Sequence, residues 1–449
     1  MNKMFESFEK FMAPLGKISQ YRFVRAITAA GMASIPFTIV GSMFLVFNIL
    51  PITFTMPWFV DFFNNTFGKF ADLYMLANRA TMGILALYFN IVIGYELTKI
   101  YAEEEELNLT PLNGALLSVF AFFMSLPQLV FKGGAVGLVQ SVKEGAYIIN
   151  GWAIGGDGVS RLGTVGIFTA IIMAALAVQI YRFCVKKKWV VKMPESVPEG
   201  VSRGFTALVP AFSVAFAVIF INGIFVVLGT DIFQVVSIPF GFVAHITDSW
   251  LGLMVIYFLI HALWIVGIHG ATIISSLITP IVLHNITLNL KGAHIPLAGE
   301  FSNMFVTLGG SGATLGLIIY MAYVAKSEQL KMLGKAAIIP GIFNINEPII
   351  FGLPIIYNPA FMLPFFLAPM ASGSIAYFAI KLQLCRPVIG NMPWPSPVGI
   401  GAFVGTGDWR AAVVAVVCAV VAFLVYLPFI KMHDTKLYKE EQALAQEAA

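Results

Sequence analysis

The chain has 449 residues, 59% apolar and 11% charged, where a soluble domain carries roughly 45–50% and about 25%. Its 27 basic and 23 acidic residues cannot cover a soluble surface of this length. With a mean hydropathy of +0.86, the chain reads as an all-α polytopic membrane protein, not a secreted, disulfide-stapled, nucleic-acid-binding or disordered one. The net charge of +4 reports orientation more than partners. Cys184, Cys385 and Cys418 are too few and too scattered for a disulfide framework or a metal site, and no motif calls for a cofactor.

In chain order the apolar runs are Ile27–Leu50, Thr81–Leu97, Gly114–Phe131, Leu162–Tyr181 and Phe205–Leu228, then Leu251–Leu288, Gly312–Ala325, Ala337–Tyr357, Phe361–Ile380 and Ala411–Ile430. Most approach the roughly 20 residues that a helix needs to cross a bilayer. The first is preceded by a polar segment too long for a signal peptide and reads as a retained span. Lys and Arg are dense in that segment and in residues 182–203. Both stretches belong on the cytoplasmic side, and four spans between them satisfy the parity. The lysines of 326–335 and of the tail ask for the same side.

Leu251–Leu288 would make roughly 57 Å of helix at 1.5 Å per residue, too much for one crossing of about 30 Å. It should hold two passes, with Gly267, Gly270 and Pro280 as break points. Ala337–Tyr357 contains Pro340, Pro348 and Pro354, so an unbroken helix is not expected there. The reading is about ten transmembrane helices plus two re-entrant hairpins, with both termini cytoplasmic. Irregular backbone at membrane depth is tolerated only against protein or a watered cavity, so the breaks mark the substrate site.

An ionisable residue stands at each break. His269 lies in Gly267-Ile268-His269-Gly270, and Glu347 in Asn344-Ile345-Asn346-Glu347-Pro348. A carboxylate between apolar flanks must be paired, protonated or facing water and ligand. The plain alternatives are a helix cap for Glu347 and a satisfied core imidazole for His269. Trp394, among Pro393, Pro395 and Pro397, is either a stacking platform for a sugar ring or an interfacial tryptophan. The glycine-rich stretch Leu308–Gly316 lacks the lysine and spacing of a phosphate loop, so close helix packing is the simpler explanation. His261, His245, Asp248, His284 and His294 have no recognisable partner and read as solvated or interfacial.

These strings, with Phe351-Gly352-Leu353-Pro354-Ile355, Leu308–Leu317 and Met193-Pro194-Glu195-Ser196-Val197-Pro198, give the chain its likeness. It resembles the membrane (IIC) component of bacterial phosphoenolpyruvate-dependent sugar phosphotransferase systems, in the lactose/cellobiose/diacetylchitobiose branch. Asn285–Met304 finds no match. The resemblance implies a homodimeric sugar permease of the cytoplasmic membrane. Residues 1–230 would be scaffold and dimerisation domain, and 231–449 the substrate-binding transport domain. The substrate would be a β-linked disaccharide of cellobiose or diacetylchitobiose type, phosphorylated as it crosses. Glu347 and His269 would flank the accepting hydroxyl, Trp394 would stack on the ring, and Asn346 would hydrogen-bond it. The donor would be a phosphocysteine on a separate IIB protein, because no cysteine here lies in a phosphate-cradling loop and the tail after Ile430 is too short for such a domain. An ion-coupled secondary transporter, with Glu347 as coupling carboxylate, is the alternative.

Overall fold

The computed structural model describes residues 17, 20–140, 147–155, 158–191, 193–194, 197–265, 269–353, 355 and 359–447. In chain order the principal elements are α1 (Arg22–Asn48), α2 (Pro57–Thr66), α3 (Leu85–Glu104), α4 (Pro111–Ser125), β1 (Leu129–Lys132), β2 (Ala135–Leu138), β3 (Tyr147–Ile149), β4 (Trp152–Gly155) and β5 (Gly158–Val159). There follow α5 (Ile167–Lys186), α6 (Leu208–Val227), α7 (Ile232–Asp248), α8 (Trp250–Ile265), α9 (Gly270–Leu290), α10 (Leu315–Tyr323), α11 (Glu328–Ile342), α12 (Glu347–Gly352), α13 (Pro359–Lys381), α14 (Ile400–Thr406) and α15 (Trp409–Glu447).

Among the described residues, six helical stretches are long and apolar enough to cross a bilayer: Arg22–Asn48, Pro57–Glu104, Thr164–Lys186, Gly204–Val227, Phe361–Lys381 and Trp409–Leu444. Pro111–Ser125, Trp250–Ile265 and Leu277–Leu290 are apolar but shorter. The expectation of an all-α chain needs one correction. The run Gly114–Phe131 leaves the helix at Ser125, and β1 and β2 then pair antiparallel, Phe131 opposite Val136. Pro127 stops the helix, and Gly133 and Gly134, at φ 61° and 79°, make the tight turn that favours a hairpin. β3, β4 and β5 form a second small antiparallel sheet.

The chain folds as two compact units, one joining Ser19–Gly41 to Tyr74–Val243, the other joining Ser42–Leu73 to Ala244–Ala449. In the first, α3, α4 and α5 pack on one another through small residues. A Cβ on Gly94 would lie 2.4 Å from Ser118 Oγ, and one on Gly114 only 1.8 Å from Thr98 Oγ1. Such contacts let apolar helices approach closely where lipid removes the hydrophobic drive. The buried Asn90 amide adds a bond to Ala170 O at 2.9 Å. At the helix ends, Glu105 accepts from Arg22 (2.7 Å) and from Arg182 (2.6 and 2.9 Å), while Glu104 accepts from Arg22 and Arg25.

In the second unit, α8 packs on α13 and α13 on α15. The long run does divide between Ile265 and Gly270. Pro280 is no break point and stays inside α9, since membrane helices tolerate proline when neighbours satisfy the freed carbonyl. Residues 328–335 are not loop but the start of α11. That start is capped by the last helix. Asp434 accepts from the backbone N–H of Lys326 and Ser327, and Glu441 from those of Glu328 and Gln329. The first N–H groups of a helix have no internal partner, and a carboxylate also suits the positive end of the helix dipole.

Candidate functional site

Each break is built by its own chemistry. At the first, α8 and α9 turn back on one another at Gly270, where a Cβ would stand 2.0 Å from Ile260 O. Only a residue without a side chain permits that approach. His269 begins the turn into α9; it is exposed, and its ring lies 4.3 Å from that of Trp264. Gly267 and Ile268 lie outside the described residues.

At the second break, α11 ends at Ile342 and Asn344 adopts a left-handed backbone, φ 60°. Its side chain gathers three loops. Oδ1 accepts from Gly309 N at 2.8 Å, and Nδ2 faces Trp394 O at 3.1 Å, Ser396 O at 3.3 Å and Asn303 O at 3.3 Å. Asn346 then donates to Ser311 O at 2.6 Å and to Thr314 Oγ1 at 2.8 Å, and its own carbonyl starts α12. Asn344 carried no role in the sequence reading. The signal available was an asparagine beside a helix break, since asparagine tolerates the left-handed region better than most residues.

The glycine-rich stretch between them is a shaped loop. Gly309, Gly310 and Gly312 have φ of 82°, 96° and 86°, and a Cβ on Gly310 would meet Asn346 Cγ at 2.3 Å. Close helix packing explains only Gly316, which faces Phe423. The Gly312 peptide is gripped from both sides. Its N–H donates to His261 Nε2 at 3.0 Å, and its carbonyl accepts from Tyr426 OH at 2.8 Å. His261 is fully buried, with Nδ1 2.7 Å from Tyr257 O. This corrects the solvated or interfacial reading. An imidazole that accepts at Nε2 must carry its proton on Nδ1, so His261 is neutral and fixed as one tautomer.

Asn346 and the Trp394 loop therefore share one frame, centred on Asn344. Trp394 is 43% exposed, and Ser396 Oγ donates to Pro393 O at 2.7 Å, bracing the loop. Glu347 is the first residue of α12, directly after Asn346; its side chain lies outside the described residues. His269 belongs to the other break, where its described ring contact is Trp264. The segment 285–304, unmatched by sequence, is also held by asparagines. Asn285 donates to Leu297 O at 2.7 Å and Asn289 to Ile295 O at 2.9 Å. It brings a further carboxylate close, for Asn303 donates to Glu300 at 2.6 Å while its carbonyl serves Asn344. An indole face, amides and carboxylates around irregular backbone suit a neutral polyhydroxyl ligand.

A mostly helical membrane chain with such a site has the organisation of a solute permease. Residues 29–369 match the family model of the phosphotransferase system EIIC, and the chain belongs to that family. It is 32% identical to the lichenan permease IIC component of Bacillus subtilis (strain 168), over 99% of this chain and 96% of that one. It is also 32% identical to the cellobiose-specific EIIC component of Geobacillus stearothermophilus, over 97% and 95%. Among solved structures, it matches the transporter ChbC, the IIC component of an N,N'-diacetylchitobiose-specific phosphotransferase system. The TM-score is 0.83 at 32% identity, covering 97% of this chain and 99% of that one.

Proposed function

We propose that this EIIC component carries a β-linked disaccharide of cellobiose or diacetylchitobiose type across the cytoplasmic membrane and presents it for phosphorylation by a separate IIB protein. The observation that carries the reading is the Asn344 frame, which ties the glycine loop, the Trp394 loop and the start of α12 into one place. Trp394 stacks on a sugar ring, and Asn346 meets a hydroxyl through its carbonyl oxygen, its amide protons being held by Ser311 and Thr314. Glu347 orients the accepting hydroxyl, and His269 hydrogen-bonds sugar or phosphoryl oxygens.

In the transfer, the S–P bond of the partner's phosphocysteine breaks as the O–P bond to the sugar forms. The thiolate leaves on the partner and the hydroxyl proton passes to Glu347. The donor thiol is assigned to a partner because Cys184, Cys385 and Cys418 are all buried, and burial pushes the Cys385 thiol up to about 12. A thiol must ionise to attack. We further propose about ten spans with two re-entrant hairpins at the breaks, both termini cytoplasmic, and a homodimer through the N-terminal scaffold. The transport domain is the part that carries both breaks.

Positioned proton transfer contributes about 10²–10⁴-fold. Glu347→Gln should therefore slow phosphorylation by that order while changing disaccharide affinity far less; equal losses would reassign Glu347 to recognition alone. Uptake should accumulate sugar phosphate and resist an uncoupler, and collapse with the uncoupler would identify an ion-coupled transporter instead.

A further inference from the structure

Beside the ion cluster of the first unit lies a cavity of about 620 Å³, between the last turns of α5 and the beginning of α6. Its mouth is polar, with Gln179, Lys186 and Ser213, and its floor apolar, with Ile180, Phe183 and Ala217. Arg182 also lines it, but its guanidinium is engaged by Glu105 and by Gln179 Oε1. Lys186 is different. Its ammonium stands 3.5 Å from a Glu105 carboxylate already shared with Arg22 and Arg182, and 59% of its side chain is exposed. Arg22, Arg25, Arg182 and Lys186 to Lys188 outnumber Glu103 to Glu106 at these helix ends, leaving a positive excess.

Three further features point to a lipid. The cavity is at the Lys186 end of the membrane-crossing stretch Thr164–Lys186, so it lies at headgroup depth. Trp189 lines it, 58% exposed and edge-on to Phe183 at 5.5 Å, as amphipathic rings do at a membrane interface. Below the mouth, α6 exposes Phe212, Phe216 and Phe220, a surface suited to acyl chain. We propose that this cavity holds the phosphate headgroup of an anionic phospholipid, with Lys186 as its charge partner and the apolar floor under the acyl chain. Basic pockets between membrane helices bind such headgroups. Free phosphate shares the headgroup chemistry but gains nothing from the floor.

The proposal rests on the membrane fold alone, so it stands or falls apart from the sugar site. Purified full-length protein in neutral detergent is unfolded by heat with added phosphatidylglycerol, phosphatidylethanolamine or inorganic phosphate. Phosphatidylglycerol should raise the midpoint, and the other two should leave it unchanged. Lys186→Gln should weaken that response about five- to tenfold in lipid concentration, the worth of roughly one basic side chain at an anionic surface, while Lys186→Arg keeps it. Ala217→Trp, which fills the floor without altering charge, should weaken it as well. An equal shift with phosphatidylethanolamine, full reproduction by inorganic phosphate, or a response untouched in both Lys186→Gln and Ala217→Trp would overturn the proposal.

Discussion

The two units hold their backbones together in different ways. In the first, α3, α4 and α5 are uninterrupted helices that satisfy their own hydrogen bonds, so small residues and one buried amide, Asn90, suffice between them. In the second, the chain leaves the helix at 266–269 and 343–346, and the freed peptide groups must find partners at membrane depth. Side-chain amides, one imidazole and one phenol supply them. Polar residues buried in the first unit fasten helix to helix, whereas in the second they hold loops in shape. A ligand needs the second arrangement, because only irregular backbone opens room for one inside a helical bundle.

The largest expected effect tests that contrast at Asn344. Asn344→Ala removes bonds to three loops and puts a side chain that disfavours φ 60° in the same place. It should abolish disaccharide binding and destabilise the protein by about 2–4 kcal/mol. Asn344→Gly, which accepts the backbone angle, should recover part of the stability but not the binding. Both are read by thermal unfolding beside isothermal titration with the sugar, and retained affinity in Asn344→Ala would separate the frame from the site.

Next in size is His261→Ala, which leaves the buried Gly312 N–H without its acceptor and should cost about 1–3 kcal/mol. Because the Gly312 carbonyl is still held by Tyr426, binding should weaken rather than vanish. The matching change in the first unit, Asn90→Ala, should cost about 1 kcal/mol and leave disaccharide affinity at the wild-type value. A drop in affinity there would erase the distinction between the units.

The smallest effect concerns Glu105. The Arg182 guanidinium beside it, with help from Arg22, holds its carboxyl well below the usual range, at about 2. A carboxylate whose folded value is depressed contributes stability above its unfolded value, near 4.5, and loses it as pH falls towards 2. Glu105→Gln should therefore lower the unfolding midpoint at pH 7, and the gap from wild type should narrow below about pH 4.5. A gap constant from pH 7 to pH 3 would show that the cluster adds no charge-dependent stability.

Much of this architecture was legible from the residues. Three prolines and an acid in Ala337–Tyr357 announced the second break, and a run too long for one crossing announced the first. The exception within it, Pro280, shows that proline marks a break only when no neighbour can answer its carbonyl. Helix α2 was invisible as an apolar run because Asp61, Asn64 and Asn65 interrupt it, yet Phe59 and Phe63 still pack against each other along its inner side. The strands went unread because Leu129–Phe131 looks like helix until the paired glycines turn it. At the site, the ionisable residues were conspicuous as costly exceptions among apolar neighbours. Asn344 and His261 were not, since their importance lies in which distant peptide groups they meet, and spacing along the chain carries no record of that.

The seal that Asp434 and Glu441 place on the start of α11 makes the C-terminal tail more than an appendage. Shortening the protein after Ile430 would uncork four backbone amides on the helix that leads straight into Asn344. Purification handles and fluorescent fusions are therefore safest beyond Glu447, with the final turns intact, because damage to the tail would travel along a single rod to the sugar-bearing end.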